Sequence, residues 1–350
     1  MSEPAKSLKA STDTLLVLRA FAICLLVVNH ATPQPFVGAL NILMFASGVS
    51  FAKIGFRSTS SETLKAMYHF LFRLVVFTMI IVFAGTAYYS WSWYPNGFYP
   101  QELFMFSNWT GRHQIAPVPV WYTQFMLQAF ACLALIFYAF DLTPRLRRHP
   151  IWVTGIMLAV SVLMVVVAES IWDTNASLDD RLPHLHVWNL ILGWLFWAVF
   201  LNRTSNMQDR IIFSIGFCVV LGTVFLYAGL ASGDLRMLVF APAGLLLIWF
   251  PRIQLGGLLS HIVGLLNRAT LSIFLLHIVF LRLGQKLPIL IGIDPEGPIA
   301  STGLIVGGIV GPVLVWAFVS AVRRAYRKLV ADSPWSGPIL NLSSAQSAIG

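Results

Sequence analysis

Apolar residues run through this chain in long stretches that short polar segments separate. They lie at about 14–31, 37–55, 66–88, 118–140, 151–171, 185–201, 211–231, 235–250, 269–285 and 299–321. A helix needs about 20 apolar residues to cross a hydrocarbon core of roughly 30 Å, so each stretch predicts a membrane-spanning helix. The stretches near 185, 235 and 269 are short, and a tilted or broken helix is expected there. The pattern therefore predicts an all-α polytopic membrane helix bundle of about ten transmembrane helices.

Composition and charge agree with this class and set its orientation. Of the 350 residues, 57% are hydrophobic and only 11% are charged, against about 25% charged in soluble domains. With the N-terminus in the cytoplasm, the inner loops hold sixteen Lys and Arg residues and the outer loops hold five. This asymmetry predicts that both termini are cytoplasmic. The net charge of +9 is thus mainly a topology signal rather than a sign of nucleic-acid binding, and part of it can attract an anionic cytosolic ligand or anionic lipid.

The sequence predicts a cytoplasmic N-terminal segment (1–13), a transmembrane domain (14–322) and a basic, then disordered, cytoplasmic tail (323–350). Arg19 interrupts the first apolar run and no small-residue cleavage site follows, so the first span is expected to remain as a signal anchor. No internal repeat is visible, which disfavours transporter folds built from inverted halves.

Two ionisable residues in the first stretch are the first candidates for chemistry. Arg19 and His30 lie eleven residues apart in LRAFAICLLVVNH, which puts them on nearly the same helix face about 16 Å apart. A charged group at membrane depth costs roughly 2.5–3.5 kcal/mol on insertion scales, so such groups are rarely without a function. The pair indicates that a charged ligand enters from the side of the membrane near Arg19, and that His30 carries out proton transfer deeper in the membrane. Alternatively, Arg19 snorkels to the inner surface, and His30 ends the helix at the outer interface.

Other histidines give weaker signals. His277 lies nine residues beyond Arg268, about 13 Å deeper along a helix. It either lines the same site as His30 or bonds a neighbouring helix, and packing is slightly favoured. His184 and His186 are close to an outer loop, but two histidines without a third ligand do not predict a metal site.

At these residues the chain resembles the acyltransferase-3 family of multi-span membrane O-acyltransferases. The Arg19 and His30 pattern fits the first span of that family, and Ser47-Gly48 in NILMFASGVSF fits its SG motif in the second span. Trp121-Tyr122 opens the fourth span as a family Trp-Tyr pair does, and ATLSIFLLH at 269–277 fits a late segment of the family. The resemblance runs from about 14 to 321.

The chain also departs from the family pattern. The acidic residue usually found three positions before the arginine is Leu16 here, and Asp13 is the nearest acid. The third span normally carries two arginines three residues apart, whereas this chain has only Arg73, with His69 one turn earlier. Leu43-Met44 replaces an aromatic pair before the SG motif.

The resemblance implies transfer of an acyl group, expected to be acetyl, from cytosolic acyl-CoA to a hydroxyl of an envelope or lipid-linked saccharide. Acyl-CoA would be a co-substrate, with no bound cofactor, and the partners would be acyl-CoA, the glycan acceptor and the lipid bilayer, without nucleic acid. The implied location is a bacterial inner membrane. His30 would be the general base, because a neutral imidazole with a pKa of about 6.5 can take the proton of an attacking hydroxyl. Trp121 and His277 would bind substrate.

The resemblance gives the remaining motif residues roles as well. Arg19 and Arg73 would hold the donor phosphates, which the planar guanidinium fork matches. Ser47 would bond an oxyanion or His30, with a covalent acyl-Ser as a variant, and Gly48 would allow close approach of backbone or ligand. Alternatively, Ser47-Gly48 is a packing notch and Arg73 is a topology charge.

Two other classes of function stay open at this point. A transporter or flippase of a saccharide or lipid intermediate would also contain buried Arg and His residues, but acids are scarce within the spans and repeats are lacking. A structural subunit of an envelope-synthesis complex would explain the loss of the second arginine in the third span.

Overall fold

The computed structural model describes residues 10–32, 38–56, 59–92, 104–109, 121–171, 182–202, 205–229, 236–290, 292 and 298–331. The chain divides into two compact units, Met1–Asn267 and Arg268–Gly350.

Helices dominate the described residues, and two short strands accompany them. In chain order the elements are β1 (Ala10–Asp13), α1 (Thr14–Ala31), α2 (Ala39–Gly55), α3 (Ser60–Ser92), α4 (Trp121–Phe140), α5 (Leu142–Arg148), α6 (Pro150–Ile171), α7 (Pro183–Phe196), α8 (Met207–Val224), α9 (Arg236–Trp249), β2 (Arg252–Leu255), α10 (Gly257–Leu290) and α11 (Pro298–Ala331). A π-helical turn extends α7 (Trp197–Leu201) and another extends α8 (Phe225–Gly229), and a single 3-10 turn covers Ser107–Trp109.

Each predicted apolar stretch is helical over nearly all of the residues that the structure describes. Eight helices of the described residues are long and apolar enough to cross a membrane, while the apolar parts of α2 (Ala39–Lys53) and α9 (Val239–Trp249) are shorter. The prediction of a polytopic helical membrane protein is therefore confirmed. The cytoplasmic location of the termini stays a prediction.

Several helices differ in length from the sequence prediction. The stretch near 269 is not short, because it belongs to the 34-residue helix α10. Helices α3 and α11 are also longer than the predicted spans, with 33 and 34 residues, since polar residues at their ends continue the same backbone hydrogen bonding. The basic segment after 322 thus begins as helix up to Ala331. The predicted disordered tail, from 332 on, lies outside the described residues.

A two-stranded antiparallel sheet holds the N-terminal end of α1, and the sequence pattern did not predict it. Strand β1 pairs with β2 in a register that places Ala10 opposite Leu255 and Asp13 opposite Arg252. The side chain of Asp13 accepts a hydrogen bond of 2.9 Å from the backbone N–H of Leu15 and so caps the helix. Asn267 Nδ2 donates to the carbonyl of Leu16 at 2.6 Å. These contacts hold the end of the helix that carries Arg19.

Helices α2 and α7 cross with their backbones in contact at two glycines. A Cβ on Gly48 would lie 2.1 Å from the carbonyl oxygen of Leu190, and a Cβ on Gly193 would lie 2.3 Å from that of Phe45. No other residue type fits at either position without a shift, since real Cβ atoms essentially never come closer than 3.0 Å. The two glycines therefore set the distance between the helices.

Helices α2 and α7 each run parallel to α4. Their side chains pair in the same order along each helix, in the contacts Ser47–Tyr122, Phe51–Phe130, Phe56–Phe137, Trp121–His186 and Phe137–Trp194. Helix α3 runs antiparallel to α4, because Thr78 pairs with Thr123 and Phe70 with Phe130. Successive long helices therefore alternate in direction, as helices that cross a membrane one after another must.

Candidate functional site

Three helices bring four polar side chains together in the first unit. Ser47 Oγ of α2 lies 3.1 Å from the phenolic oxygen of Tyr122 on α4. Arg19 Nη1 of α1 donates to Ser50 Oγ of α2 at 3.4 Å, and Arg19 and Tyr122 interact electrostatically. Ser47 and Ser50 are one helical turn apart, so they share a face of α2. We call these four residues the Arg19–Tyr122 cluster.

The cluster is screened from solvent. Tyr122 is buried, and Arg19, Ser47 and Ser50 are half-buried. The Ser50 hydroxyl donates to the carbonyl of Ala46 at 2.8 Å, which leaves its oxygen to accept from Arg19. The Arg19 guanidinium, which has several N–H donors, thus contacts a serine hydroxyl and interacts electrostatically with the phenol of Tyr122. Such a set of donors suits an anion or a polarised carbonyl oxygen, and it acts more strongly in a site of low dielectric than in water.

Two residues of the cluster, Arg19 and Ser47, were predicted as site residues from the sequence. The other two, Ser50 and Tyr122, were not. Signals for both exist in the sequence: Ser50 follows Ser47 by one turn, and Tyr122 is the second member of the Trp-Tyr pair. Trp121 is half-buried, and its ring lies 5.9 Å from the ring of His186; its role as a substrate contact stays a prediction.

His30 lies in the last turn of α1 and is exposed, which is the position that the alternative interpretation gave it. The reason is local. Thr32 takes an extended conformation with φ −127° and ψ 152°, as a residue before a proline generally does, and this ends the helix. The backbone N–H of Thr32 then donates to the carbonyl of Val28 at 2.9 Å. The role of His30 as a base stays a prediction.

Gly48 and Arg73 lie in other surroundings. Gly48 lies against the backbone of Leu190, which agrees with the packing alternative, and its role in substrate binding stays a prediction. Arg73 is exposed on α3, on the face it shares with Val76 and Ile80, which are 43% and 61% exposed. The described contacts do not bring its side chain to the Arg19–Tyr122 cluster, and its role in substrate binding stays a prediction.

The second unit contains His277, fully buried on α10. Its Nδ1 lies 3.0 Å from the carbonyl oxygen of Ile273 and 2.8 Å from that of Phe274. Both contacts are to the preceding turn of the same helix, whereas the packing alternative predicted a bond to a neighbouring helix. Nearby, Ser272 Oγ donates to the carbonyl of Pro312 at 2.9 Å and so links α10 to α11. The predicted substrate contact of His277 is not tested by these contacts.

The structure also reveals a buried polar residue that the sequence analysis did not single out. Asn189 of α7 is fully buried. Neither its side-chain oxygen nor its nitrogen has a hydrogen-bond partner among the described residues. Within the same part of the chain, no group of three or more His, Cys, Asp or Glu residues is placed to hold a metal ion.

The fold and the cluster define an integral membrane protein of apolar helices with a polar site between them. The chain matches the acyltransferase-3 family model, described as an acyltransferase domain, over residues 13–320. It therefore belongs to the acyltransferase-3 family, and it is an acyltransferase that transfers groups other than aminoacyl groups. No curated protein and no solved structure matches the chain.

Proposed function

We propose that this enzyme transfers an acyl group, acetyl in the first instance, from cytosolic acyl-CoA to a hydroxyl of an envelope or lipid-linked saccharide in a bacterial inner membrane. The family supplies the reaction class. The observation that carries the proposal further is the Arg19–Tyr122 cluster, in which hydrogen-bond donors from three helices converge inside an apolar bundle.

In this reaction the oxygen of the acceptor hydroxyl attacks the thioester carbonyl carbon and loses its proton to a base. The carbonyl oxygen becomes an oxyanion, the tetrahedral intermediate collapses, and the C–S bond breaks to release the CoA thiol once the sulfur is protonated. Arg19, Tyr122 and Ser47 would donate to the oxyanion, where removing one donor typically costs about 100-fold or more in rate. This role replaces a contact with the donor phosphates as the proposal for Arg19, because its guanidinium donates to Ser50 Oγ and interacts electrostatically with Tyr122.

His30 is the proposed general base. It lies on nearly the same face of α1 as Arg19, about 16 Å along the helix axis. The connection 32–38 between α1 and α2 is short, so the two helices run antiparallel, and Ser47 lies nearer than Ser50 to the His30 end. The base and the oxyanion donors act on opposite sides of the reacting carbon. The imidazole must come within about 3 Å of the acceptor hydroxyl and the donors within about 3 Å of the oxyanion, so the proposal requires the side chains of His30 and Arg19 to reach toward each other along the face they share.

Transfer of radiolabel from acetyl-CoA to glycans in membranes from expressing cells tests the proposal. The variants are His30→Ala and, as a matched control, His69→Ala, which replaces an exposed histidine on α3. We expect the wild type and His69→Ala to label the glycan fraction and His30→Ala to label it at least about 100-fold more slowly.

Two results would contradict different parts of the proposal. Wild-type labelling by His30→Ala would remove His30 as the base but leave the acyltransfer reaction. If the wild type labels nothing with acetyl-CoA or succinyl-CoA, the donor class is wrong. Movement of saccharide across liposomes without any donor would then indicate a transporter.

A further inference from the structure

A short segment at 104–109, on the side predicted to be outer, exposes three aromatic rings. Phe104, Phe106 and Trp109 are 69%, 40% and 55% exposed. The segment consists of a turn and a single 3-10 turn rather than a continuous helix. Irregular backbone does not occur where it faces the hydrocarbon of a bilayer, because its polar groups would lose their hydrogen bonds there. The three rings therefore face water or the lipid headgroups.

Hydrogen bonds to the first turns of α4 fix the position of Trp109. Its indole Nε1 donates to Gln128 Oε1 at 2.9 Å. The amides of Gln128 and Asn108 bond each other in both directions at 3.0 Å, and Gln128 Nε2 also donates to the carbonyl of Met105 at 2.7 Å. The backbone N–H of Asn108 donates to Gln124 Oε1 at 3.0 Å. The ring of Trp109 is thus held in place while it stays exposed, so it would lose little conformational entropy when a ligand binds.

The orientation of this indole distinguishes a sugar-binding platform from a membrane anchor. A tryptophan of the aromatic belt keeps its ring in the apolar layer and its N–H among the wet headgroups. The N–H of Trp109 instead bonds inside the protein, and the ring is the part that is exposed. The imidazole of His184, the second residue of α7, lies beside it, with 6.2 Å between the ring centroids. An aromatic face next to an imidazole suits a sugar, because its C–H groups pack on the negative face of the ring and its hydroxyls need hydrogen-bond partners.

We infer that Trp109 and His184 bind a sugar ring of the acceptor saccharide, Trp109 by stacking and His184 by a hydrogen bond. The inference rests on the proposed function, because it takes a saccharide as the acceptor. His30 lies in the last turn of α1, which is predicted to face the same side of the membrane. Gln128 and Tyr122 point about 120° apart on α4. The sugar that stacks on Trp109 is therefore a different ring of the acceptor from the one that is acylated.

Binding of labelled oligosaccharides to the purified full-length protein tests the inference without requiring turnover. The probe is the oligosaccharide fraction released from the envelope glycans of the expressing cells and labelled with a fluorophore. A polyoxyethylene detergent is used, because it carries no sugar that could compete. The variants are Trp109→Ala and Trp109→Phe, the second of which keeps an aromatic ring. The matched control is Trp152→Ala, which removes a 74% exposed tryptophan at the start of α6, on the side predicted to be cytoplasmic.

We expect Trp109→Ala to weaken binding about 10-fold, because the stacked ring is lost. Trp109→Phe should fall between it and the wild type, and Trp152→Ala should bind like the wild type. In acyl transfer, Trp109→Ala should raise the KM for the glycan about 10-fold with kcat unchanged, because the ring does not touch the reacting atoms. Equal binding by the wild type and Trp109→Ala, equal losses in the Trp109 and Trp152 variants, or no binding by the wild type would overturn the inference.

Two further measurements distinguish a membrane anchor from a sugar site, and this inference from the proposed function. If Trp109→Ala binds the oligosaccharide probe normally but inserts into membranes less well than the wild type, Trp109 anchors the protein in the membrane and the inference is wrong. His30→Ala should bind the probe like the wild type, because binding does not require proton transfer. Absence of acyl transfer alongside binding of the probe that depends on Trp109 would contradict the proposed function alone.

Discussion

Substitution of Gly48 by alanine tests whether the contact between α2 and α7 positions the site. The added Cβ would lie 2.1 Å from the oxygen, 2.9 Å from the carbon and 3.1 Å from the Cα of Leu190. All three are backbone atoms of a helix, so none can rotate away as a side chain could. Ordinary contact begins near 3.4 Å. The two helices must therefore separate by about 1 Å, since a packed interior has no spare volume.

The expected effect on activity exceeds the effect on stability. Overpacking of this kind costs about 1–3 kcal/mol, which a large bundle can tolerate. Ser47, however, is the neighbour of Gly48 and contacts Tyr122 of a different helix at 3.1 Å. A shift of about 1 Å in a catalytic group can reduce the rate by roughly 100-fold. We expect Gly48→Ala to insert and fold, with its thermal transition lowered by several degrees and its acyl transfer reduced by about two orders of magnitude.

The assay combines transfer of radiolabelled acetyl with thermal unfolding of the detergent-solubilised protein. Gly155→Ala is the matched control, because a Cβ on Gly155 of α6 meets no atom within 4 Å. It should keep both activity and stability. Gly193→Ala should behave like Gly48→Ala, because its Cβ would lie 2.3 Å from the carbonyl oxygen of Phe45. Acyl transfer by Gly48→Ala within twofold of the wild type would refute the argument that this crossing positions Ser47.

Further substitutions test separate contacts. Tyr122→Phe removes the hydroxyl beside Ser47 Oγ and with it one proposed oxyanion donor, so we expect about a 100-fold loss of acyl transfer. Because the two hydroxyls contact each other, the double variant with Ser47→Ala should lose less than the product of the two single losses, and fully additive losses would contradict the contact. Asn189→Leu replaces a buried amide that has no hydrogen-bond partner among the described residues. We therefore expect thermal unfolding to show unchanged stability or a gain of up to about 1–3 kcal/mol. A clear loss of stability would show that the amide has an important partner. Asp13→Ala removes the side chain that caps α1 and should lower the free energy of unfolding by about 1 kcal/mol in the same assay. Asp13→Asn keeps a capping oxygen and should retain most of that stability. Equal losses of stability in the two variants would contradict a capping role.

Much of the fold follows from local properties of the chain. Whether a stretch can cross a membrane depends on its own length and hydrophobicity, so all ten helical stretches are visible in the sequence. Helix ends are less visible, because polar residues continue α10 from Gly257 and α11 to Ala331. The pairing of β1 with β2 joins segments about 240 residues apart, and no local pattern reports such a contact.

The amino-acid sequence by itself determined the class of protein, the number of apolar helices and the motif residues Arg19, His30 and Ser47, because hydrophobic length and residue spacing are properties of single segments. Only the tertiary structure decided which of these residues meet. Ser47 contacts Tyr122 and Arg19 contacts Ser50, whereas His30 lies in the last turn of its helix. Such contacts depend on how helices cross, and here the crossing is set by two glycines on different helices, Gly48 and Gly193.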